Sequence, residues 1–343
     1  MTSIALFNNK SGVGMTTLTY HLAHMLSRRG HTVLAVDLDP QADLTSLCLD
    51  ESERDELWNT SPALLAQDAA SAAPLGVGRV RSGQTMADAV RPALKGSGDV
   101  SPVRPVPLEA GLWLLPGSLD LGRFEDALSG GWFKSLAGDA AAVRTTTAFH
   151  RVIAQAAETV EADLVLIDVN PSLGATTRAA LIAADTFLVP LVADPLSLKG
   201  LSNLGPTLRE WRRSWRALEL PRAPAGTPAP AMALAPLGYV VIQPETRLDR
   251  PVVAQARWLD QISAAFSASV LDQHPPSHDD RHRVATLRNY RSLAPLAHAA
   301  RKPMFDLKAG DGALGSTQTY VQTCYREFRD LAENVLRRVD EVR

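Results

Sequence analysis

A short apolar run, Ser3 to Phe7, stops at a glycine-containing loop, after which Leu18, Leu22, Met25 and Leu26 recur at helical spacing within residues 15–29. Gly30 ends that helix as its C′ residue, and a second apolar run, Thr32 to Val36, leads into Asp37-Leu38-Asp39-Pro40. Buried strands joined through a helix form a right-handed parallel crossover. The opening of the chain therefore constrains the fold to an α/β architecture, a mainly parallel sheet flanked by helices.

The alternation continues. Further strands are predicted at 111–116, 163–168, 187–192 and 238–242, and helices at 119–128, 143–160, 197–215, 251–266, 292–301 and 317–339. Gly205-Pro206 predicts a break in the helix over 197–215, and five prolines predict a loop over 221–236. Residues 51–107, rich in Ala, Gly, Ser and Pro with one helix near Thr85–Val90, read as an irregular insertion within a single domain spanning 1–343.

Composition excludes several classes. With 343 residues, 45% hydrophobic and 21% charged, the chain can bury a full core and is not a disordered protein. Lys and Arg number 35 against 37 Asp and Glu, so it does not coat nucleic acid by bulk charge, although local basic patches are open to it. Two cysteines, Cys48 and Cys324, make neither a disulfide framework nor a metal cage and fit a reducing cytosol. No run of ~18 apolar residues spans a membrane, and the N-terminus lacks the basic region and cleavage site of a signal peptide. A cytoplasmic protein with no membrane partner is expected.

The loop itself is Lys10-Ser11-Gly12-Val13-Gly14-Met15-Thr16-Thr17. A strand, a glycine-rich loop and a helix in that order gather backbone N–H groups and the positive helix end at one point, an anion site suited to phosphate. Gly12 and Gly14 permit the close approach, and Thr16 stands where a P-loop hydroxyl holds Mg²⁺. The dinucleotide pattern fails at Thr17, where it wants a third glycine. The P-loop pattern fails at Asn9, where it wants glycine, and at Met15, where it wants lysine. Alone, the loop leaves both readings open.

Three segments in register decide between them: N-K-S-G-V-G-M-T-T, V-D-L-D-P-Q-A-D-L-T at 36–45, and L-V-L-I-D-V-N-P-S-L-G at 164–174. Together they resemble the ParA/MinD family of deviant Walker ATPases. Leu115–Leu121, the run Ala180–Asp185, Val189-Pro190-Leu191, Leu198-Lys199-Gly200-Leu201 and the stretch from Arg288-Asn289-Tyr290 to Lys302-Pro303 resemble the family in the same order. The resemblance implies that ATP and Mg²⁺ bind on Lys10–Thr17, with Arg288 and Asn289 in the segment closing over the base. It implies that Lys10 reaches the phosphates of a partner's nucleotide, that Thr16 and Asp168 hold Mg²⁺, that Asp39 orients the attacking water, and that Asp37 supports the site. Phosphoryl transfer needs such positioning and charge neutralisation more than covalent chemistry.

Two residues depart from the pattern. Ser11 replaces a loop glycine, which is mild if its φ is negative. Met15 replaces the lysine that contacts the β- and γ-phosphates and offers neither charge nor donor. Hydrolysis should be impaired, either in a natural pseudo-ATPase or through a substitution that traps one state. The intact Thr16, Asp37, Asp39 and Asp168 favour the trap.

Arg209, Arg212, Arg213 and Arg216 share one helical face, with Trp211 and Trp215 between them. They are candidates for non-specific DNA contact; the bland alternative is a solvated helix with aromatic packing. Arg281, Arg283, Arg288, Arg291, Arg301 and Lys302 form a second basic cluster with the same two readings. His274, His278 and His282 are spaced by four, but Pro275 and Pro276 break any helix there and argue against metal. The apolar stripe of the last helix, from Val321 to Val339, reads as docked on the core, because its acids dilute the positive face of a membrane-surface helix. The loop begins near residue 10, so no preceding helix-turn-helix domain is expected. The resemblance thus implies a cytoplasmic ATPase forming an ATP-sandwich homodimer, nucleoid-associated through non-specific DNA when ATP-bound. A ParB-like or other activating partner would reset it while it segregates DNA or another cargo. The alternatives are a non-hydrolysing, nucleotide-sensing scaffold that signals by dimer state and, less favoured for want of a matching pocket, a ligase-like biosynthetic enzyme of the same superfamily.

Overall fold

A computed structural model of the chain describes residues 1–58, 84–219, 230–242, 253–273, 280–290 and 292–343. Eight strands form one sheet: β1 (Thr2–Leu6), β2 (Val33–Asp37), β3 (Val106–Glu109), β4 (Leu112–Leu115), β5 (Leu164–Asp168), β6 (Thr186–Val192), β7 (Ala235–Ile242) and β8 (Arg283–Leu287). Their order is β3-β4-β2-β5-β1-β6-β7-β8, and only the β3–β4 pair is antiparallel. β1, β2 and β5 are buried at every position, because helices cover both faces at the sheet centre.

The described helices are α1 (Met15–Arg28), α2 (Asp43–Cys48), α3 (Glu51–Trp58), α4 (Met86–Leu94), α5 (Glu125–Leu136), α6 (Ala140–Thr146), α7 (Ala148–Thr159), α8 (Ala175–Ile182), α9 (Pro195–Glu219), α10 (Val253–Ser269), α11 (Ala294–Ala300) and α12 (Ser316–Val342). They divide into two layers. On one face α1, α2, α11 and α12 share a core with Ile4, Leu6 and Leu166; on the other α4, α5, α7, α8, α9 and α10 pack with Phe7, Val36 and Ile167. The apolar stripe of α12 is docked as expected, with Cys324, Leu331 and Val335 fully buried.

Several elements differ from the sequence reading. β3 and β8 were not predicted; each is a short outer strand, β3 (V-P-L-E) beginning beside a proline and β8 (R-V-A-T-L) carrying little apolar signal. The stretch 119–128 opens as a 3₁₀ turn, Leu119–Phe124, before α5, and 143–160 is divided at Thr147 into α6 and α7. Residues 221–229 of the proline-rich segment lie outside the described residues, but Pro236 belongs to β7, where it pairs with Phe187 beside a register shift. In the 51–107 region, a capping box between Thr85 and Asp88 starts α4.

The expected break at Gly205-Pro206 does not occur: α9 runs unbroken over 25 residues with Pro206 inside it. Pro206 is exposed, so the backbone acceptor it leaves unpaired can meet water. Gly205 serves packing instead. A Cβ there would lie 1.8 Å from the Ser269 carbonyl oxygen, so α10 rests directly on its backbone. In an exposed helix, Gly→Ala gains about 1 kcal/mol. Here Gly205→Ala should cost about 3 kcal/mol, since the blocking atom belongs to backbone and cannot rotate away. Urea unfolding should show a lower midpoint at unchanged slope.

Candidate active site

β1 delivers the chain to the carboxyl ends of β2, β5 and β6, the edge where parallel α/β sheets bind ligands. There Gly12 and Gly14 take left-handed φ values of 73° and 80°, while Ser11 does not, so the serine departure is harmless. Gly14 is the N-cap of α1, and no side chain caps the helix. The first-turn N–H groups are left to meet an anion.

Asn8, which sequence reasoning passed over, ties the loop together. Its Nδ2 donates to the Pro190 carbonyl at 2.8 Å, and its Oδ1 accepts from the Lys10 N–H at 3.1 Å. Met15 is buried, and its Sδ accepts the Asn8 N–H at 3.1 Å. The thioether thus folds back under the loop as packing. Lys10 pairs with Asp194, the residue just before α9, and its Nζ lies 3.4 Å from the Ser197 hydroxyl. Asp194 also accepts the Ser197 N–H at 2.7 Å, and these donors hold its carboxyl below the usual range despite burial. In this structure the lysine is therefore held by its own chain.

Two aspartates end adjacent strands in register, Asp37 on β2 and Asp168 on β5, both fully buried. Asp37 accepts from the Thr45 N–H and hydroxyl at 2.8 and 2.7 Å and from the Asp39 N–H at 3.2 Å. Burial raises its pKa to about 7 against those hydrogen bonds. Gly117 packs on it so closely that a Cβ would lie 2.8 Å from the Asp37 Cγ, which explains the glycine of the L-P-G-S segment. Asp39 accepts from the Gln41 N–H at 2.8 Å and the Asn170 side chain at 3.1 Å. Asn170 was also missed, although it lies in the V-N-P-S stretch after β5.

Asp168 accepts from the Thr19 hydroxyl at 3.1 Å, while its Oδ2 is buried with no hydrogen-bond partner. Burial and then Asp37 hold its carboxyl well above the usual range, against the Thr16 and Thr19 hydroxyls. An orphaned buried carboxylate oxygen beside a threonine hydroxyl fits a hard dication, which takes oxygen ligands.

Beyond the loop, a cavity of about 350 Å³ is lined by Gly12, Val13, Gly14 and Thr17 on one side and by Arg288, Asn289 and Tyr290 on the other. The structure thus brings both predicted segments to one cleft. Glu327 of α12 braces the far wall, accepting from the Arg288 N–H at 2.9 Å and the Tyr290 hydroxyl at 2.6 Å.

The α9 arginines are elsewhere. Arg216 lies 21 residues beyond Pro195, which at 1.5 Å per residue is ~31 Å along the helix. Trp211 and Trp215 point into the core, where Trp215 stacks on Trp132 at 5.8 Å and donates to the Pro230 carbonyl. Arg209 is taken by the Ser269 carbonyl and, at 3.6 Å, by Asp272. Arg212 is half-buried with its Nε unpartnered, and burial, then Arg216, lowers its pKa. Arg213 and Arg216 are exposed. His274, His278 and Arg291 lie outside the described residues. No described helix is long and apolar enough to cross a membrane.

A glycine loop entering α1 from a central parallel strand, with buried aspartates ending the neighbouring strands, defines a P-loop nucleotide-binding protein. A protein-family profile described as an AAA domain matches residues 1–219. The chain belongs to the ParA/MinD family of ATPases. It is 32% identical over 209 residues to the chromosome-partitioning ATPase Soj of Thermus thermophilus, covering 61% of this chain and 62% of that one. It is 28% identical over 215 residues to the chromosome partitioning protein ParA of Caulobacter vibrioides, covering 62% and 63%. The match spans 42% of a relative from Rhizobium rhizogenes. The fold is shared with protein DIP2308 from Corynebacterium diphtheriae, with TM-score 0.70, 21% identity and 99% of each chain covered. It is shared too with pnob8 ParA, with TM-score 0.65, 20% identity, and 100% and 99% covered.

Proposed function

We propose that the chain is a ParA-type ATPase that segregates or positions DNA or another cargo. It binds ATP on Lys10–Thr17, with the base against Arg288 and Asn289, and closes as an ATP-sandwich homodimer. The observation that carries this reading is the meeting of Asp37, Asp39 and Asp168 with the uncapped glycine loop at one end of the sheet. The partitioning names of its relatives support it.

Bound Mg²⁺, held by Thr16 and Asp168, would neutralise charge developing on the β- and γ-phosphates. Asp39, fixed by Asn170 and the Gln41 N–H, orients the attacking water, and Asp37 holds the β2 end through Thr45. Lys10 must leave Asp194 to reach a partner's phosphates, so catalysis is tied to dimerisation. The dimer binds DNA without sequence preference and becomes nucleoid-associated in the cytoplasm, and a ParB-like or other activating protein resets it. Met15 slows hydrolysis.

Met15 also favours a second reading, in which the chain never hydrolyses and signals as a nucleotide-sensing scaffold by dimer state. Light scattering with ATP tests the common step. In a Met15→Lys background, Lys10→Ala should abolish ATP-dependent dimers and leave a folded monomer. A dimer that persists would remove Lys10 from the interface. Phosphate release by the unmodified chain with DNA and partner present would remove the scaffold.

A further inference from the structure

We infer that the chain carries a second ligand site, for a small organic phosphate, beside the nucleotide cleft. A cavity of about 640 Å³ lies between α1, the α2–α3 segment and α11. Its size falls within the usual range for small-molecule sites, ~300–1,000 Å³. Thr17, Ala294 and Met304 line both this cavity and the one over the glycine loop, so the two share a wall.

The lining combines two chemistries. Leu47, Pro295, Ala297 and Met304 supply an apolar surface, while Arg54, Arg301 and Lys302 supply cations, and no carboxylate side chain faces the space. Lys302 is neutralised by Asp311, at 2.8 and 3.0 Å. The two arginines form no ion pair, although the Ser52 hydroxyl, the Glu53 N–H and then the nearby Arg301 hold the Asp50 carboxyl below the usual range. Arg54 only touches the Asp50 backbone carbonyl through Nε at 3.3 Å, and among the described residues neither Arg54 nor Arg301 has a carboxylate within ion-pair distance. Planar guanidinium groups suit bidentate phosphate recognition.

The backbone at Arg301 offers a handle for a test. It caps the C-terminus of α11 in the left-handed region, φ 50° and ψ 48°, where glycine would sit without penalty. The Arg301 side chain lines the cavity. A phosphate met by Arg54 and Arg301, with a flat organic body laid along Leu47, Pro295 and Met304, satisfies both halves of the lining. A concave space with an apolar wall fits a small molecule better than a nucleic-acid backbone.

The test is isothermal titration of the full chain with AMP, compared with the double variant Arg54→Ala, Arg301→Gly. Neither residue lines the cavity over the glycine loop. Arg301→Gly relieves the left-handed strain, so the Arg301→Gly single variant should unfold at a temperature no lower than the parent's. Besides any AMP held in the cleft over the glycine loop, which the double variant leaves intact, the parent should show a further site per chain that the double variant binds at least ~10-fold more weakly. Pyrophosphate, which lacks an organic body, should bind that site at least ~10-fold more weakly than AMP. Superimposable AMP isotherms for parent and double variant would overturn the site. So would pyrophosphate binding as tightly as AMP in the component that the double variant loses, since the apolar wall would then contribute nothing. A double variant that loses affinity for a DNA duplex but not for AMP would make the cavity a nucleic-acid contact instead.

Discussion

Met15→Lys is expected to raise ATP turnover at least ~100-fold, the usual effect of restoring one transition-state donor. The methionine Sδ accepts the Asn8 N–H at 3.1 Å, and the side chain is 7% exposed. A thioether there neither donates a hydrogen bond nor balances phosphate charge. Lysine reaches one atom further and brings both. The partners it needs are in place, because Asp37, Asp39 and Asp168 keep their hydrogen bonds and the loop glycines their left-handed angles. Nucleotide affinity should also rise, since one charge-assisted contact is worth about 1.5–3 kcal/mol. Steady-state phosphate release, with DNA and the activating partner present, checks the first expectation. Equal turnover in the two proteins would sink the role assigned to position 15.

Replacing Arg212, Arg213 and Arg216 by Glu is expected to abolish DNA binding and leave nucleotide affinity unchanged. Trp211 and Trp215 anchor α9 in the core, so the helix presents Arg213 and Arg216 outward on a rigid support, with Arg212 beside them. Arg209 contributes little, being held by Ser269 and Asp272. One protomer offers few phosphate contacts; a dimer doubles them through effective concentration. Binding should therefore require the nucleotide-bound dimer, ignore sequence, and weaken with salt at a slope of about −0.9 per phosphate neutralised. Fluorescence anisotropy on two unrelated duplexes across a salt series, with Met15→Lys protein and ATP, measures this. A triple variant that binds as tightly as its parent would leave α9 a solvated face and direct attention to Arg281–Lys302.

Central strands and phosphate loop were legible because their signals are local. Buried parallel strands are apolar throughout, and β1, β2 and β5 each appear as such a run. β3 and β8 were not, because a short outer strand carries little apolar pattern: β3 is a proline-containing edge strand that meets the adjacent β4 through a register shift, and β8 owes its pairing to β7, distant in sequence. The unbroken α9 was misread for a related reason. Gly205-Pro206 is a breaker pair in isolation, and only the approach of α10 shows why the glycine is there. In the site, the aspartates and loop were visible as motifs. Asn8, Asn170 and Asp194 were not, since each acts by holding another residue, and nothing in the chain's local pattern marks such support. Arg301 drew notice only as one member of a basic cluster; its left-handed backbone is a property of the cap it completes.

The far wall of the nucleotide cleft has a consequence for how the protein is made. Residues 10–17 emerge early in synthesis, and the sheet centre is complete once β6 has formed. The cavity over the loop is not, because Leu287, Arg288, Asn289, Tyr290, Met304 and Phe328 close it, with Glu327 bracing the turn. On the proposed reading, with the base against Arg288 and Asn289, a nascent chain that has reached the end of α10 has a glycine loop without a place for the base. Nucleotide can stabilise only what it can bind, so the share of its binding that rests on the base is absent until about residue 328 has left the ribosome, and until then the sheet relies mainly on its own packing.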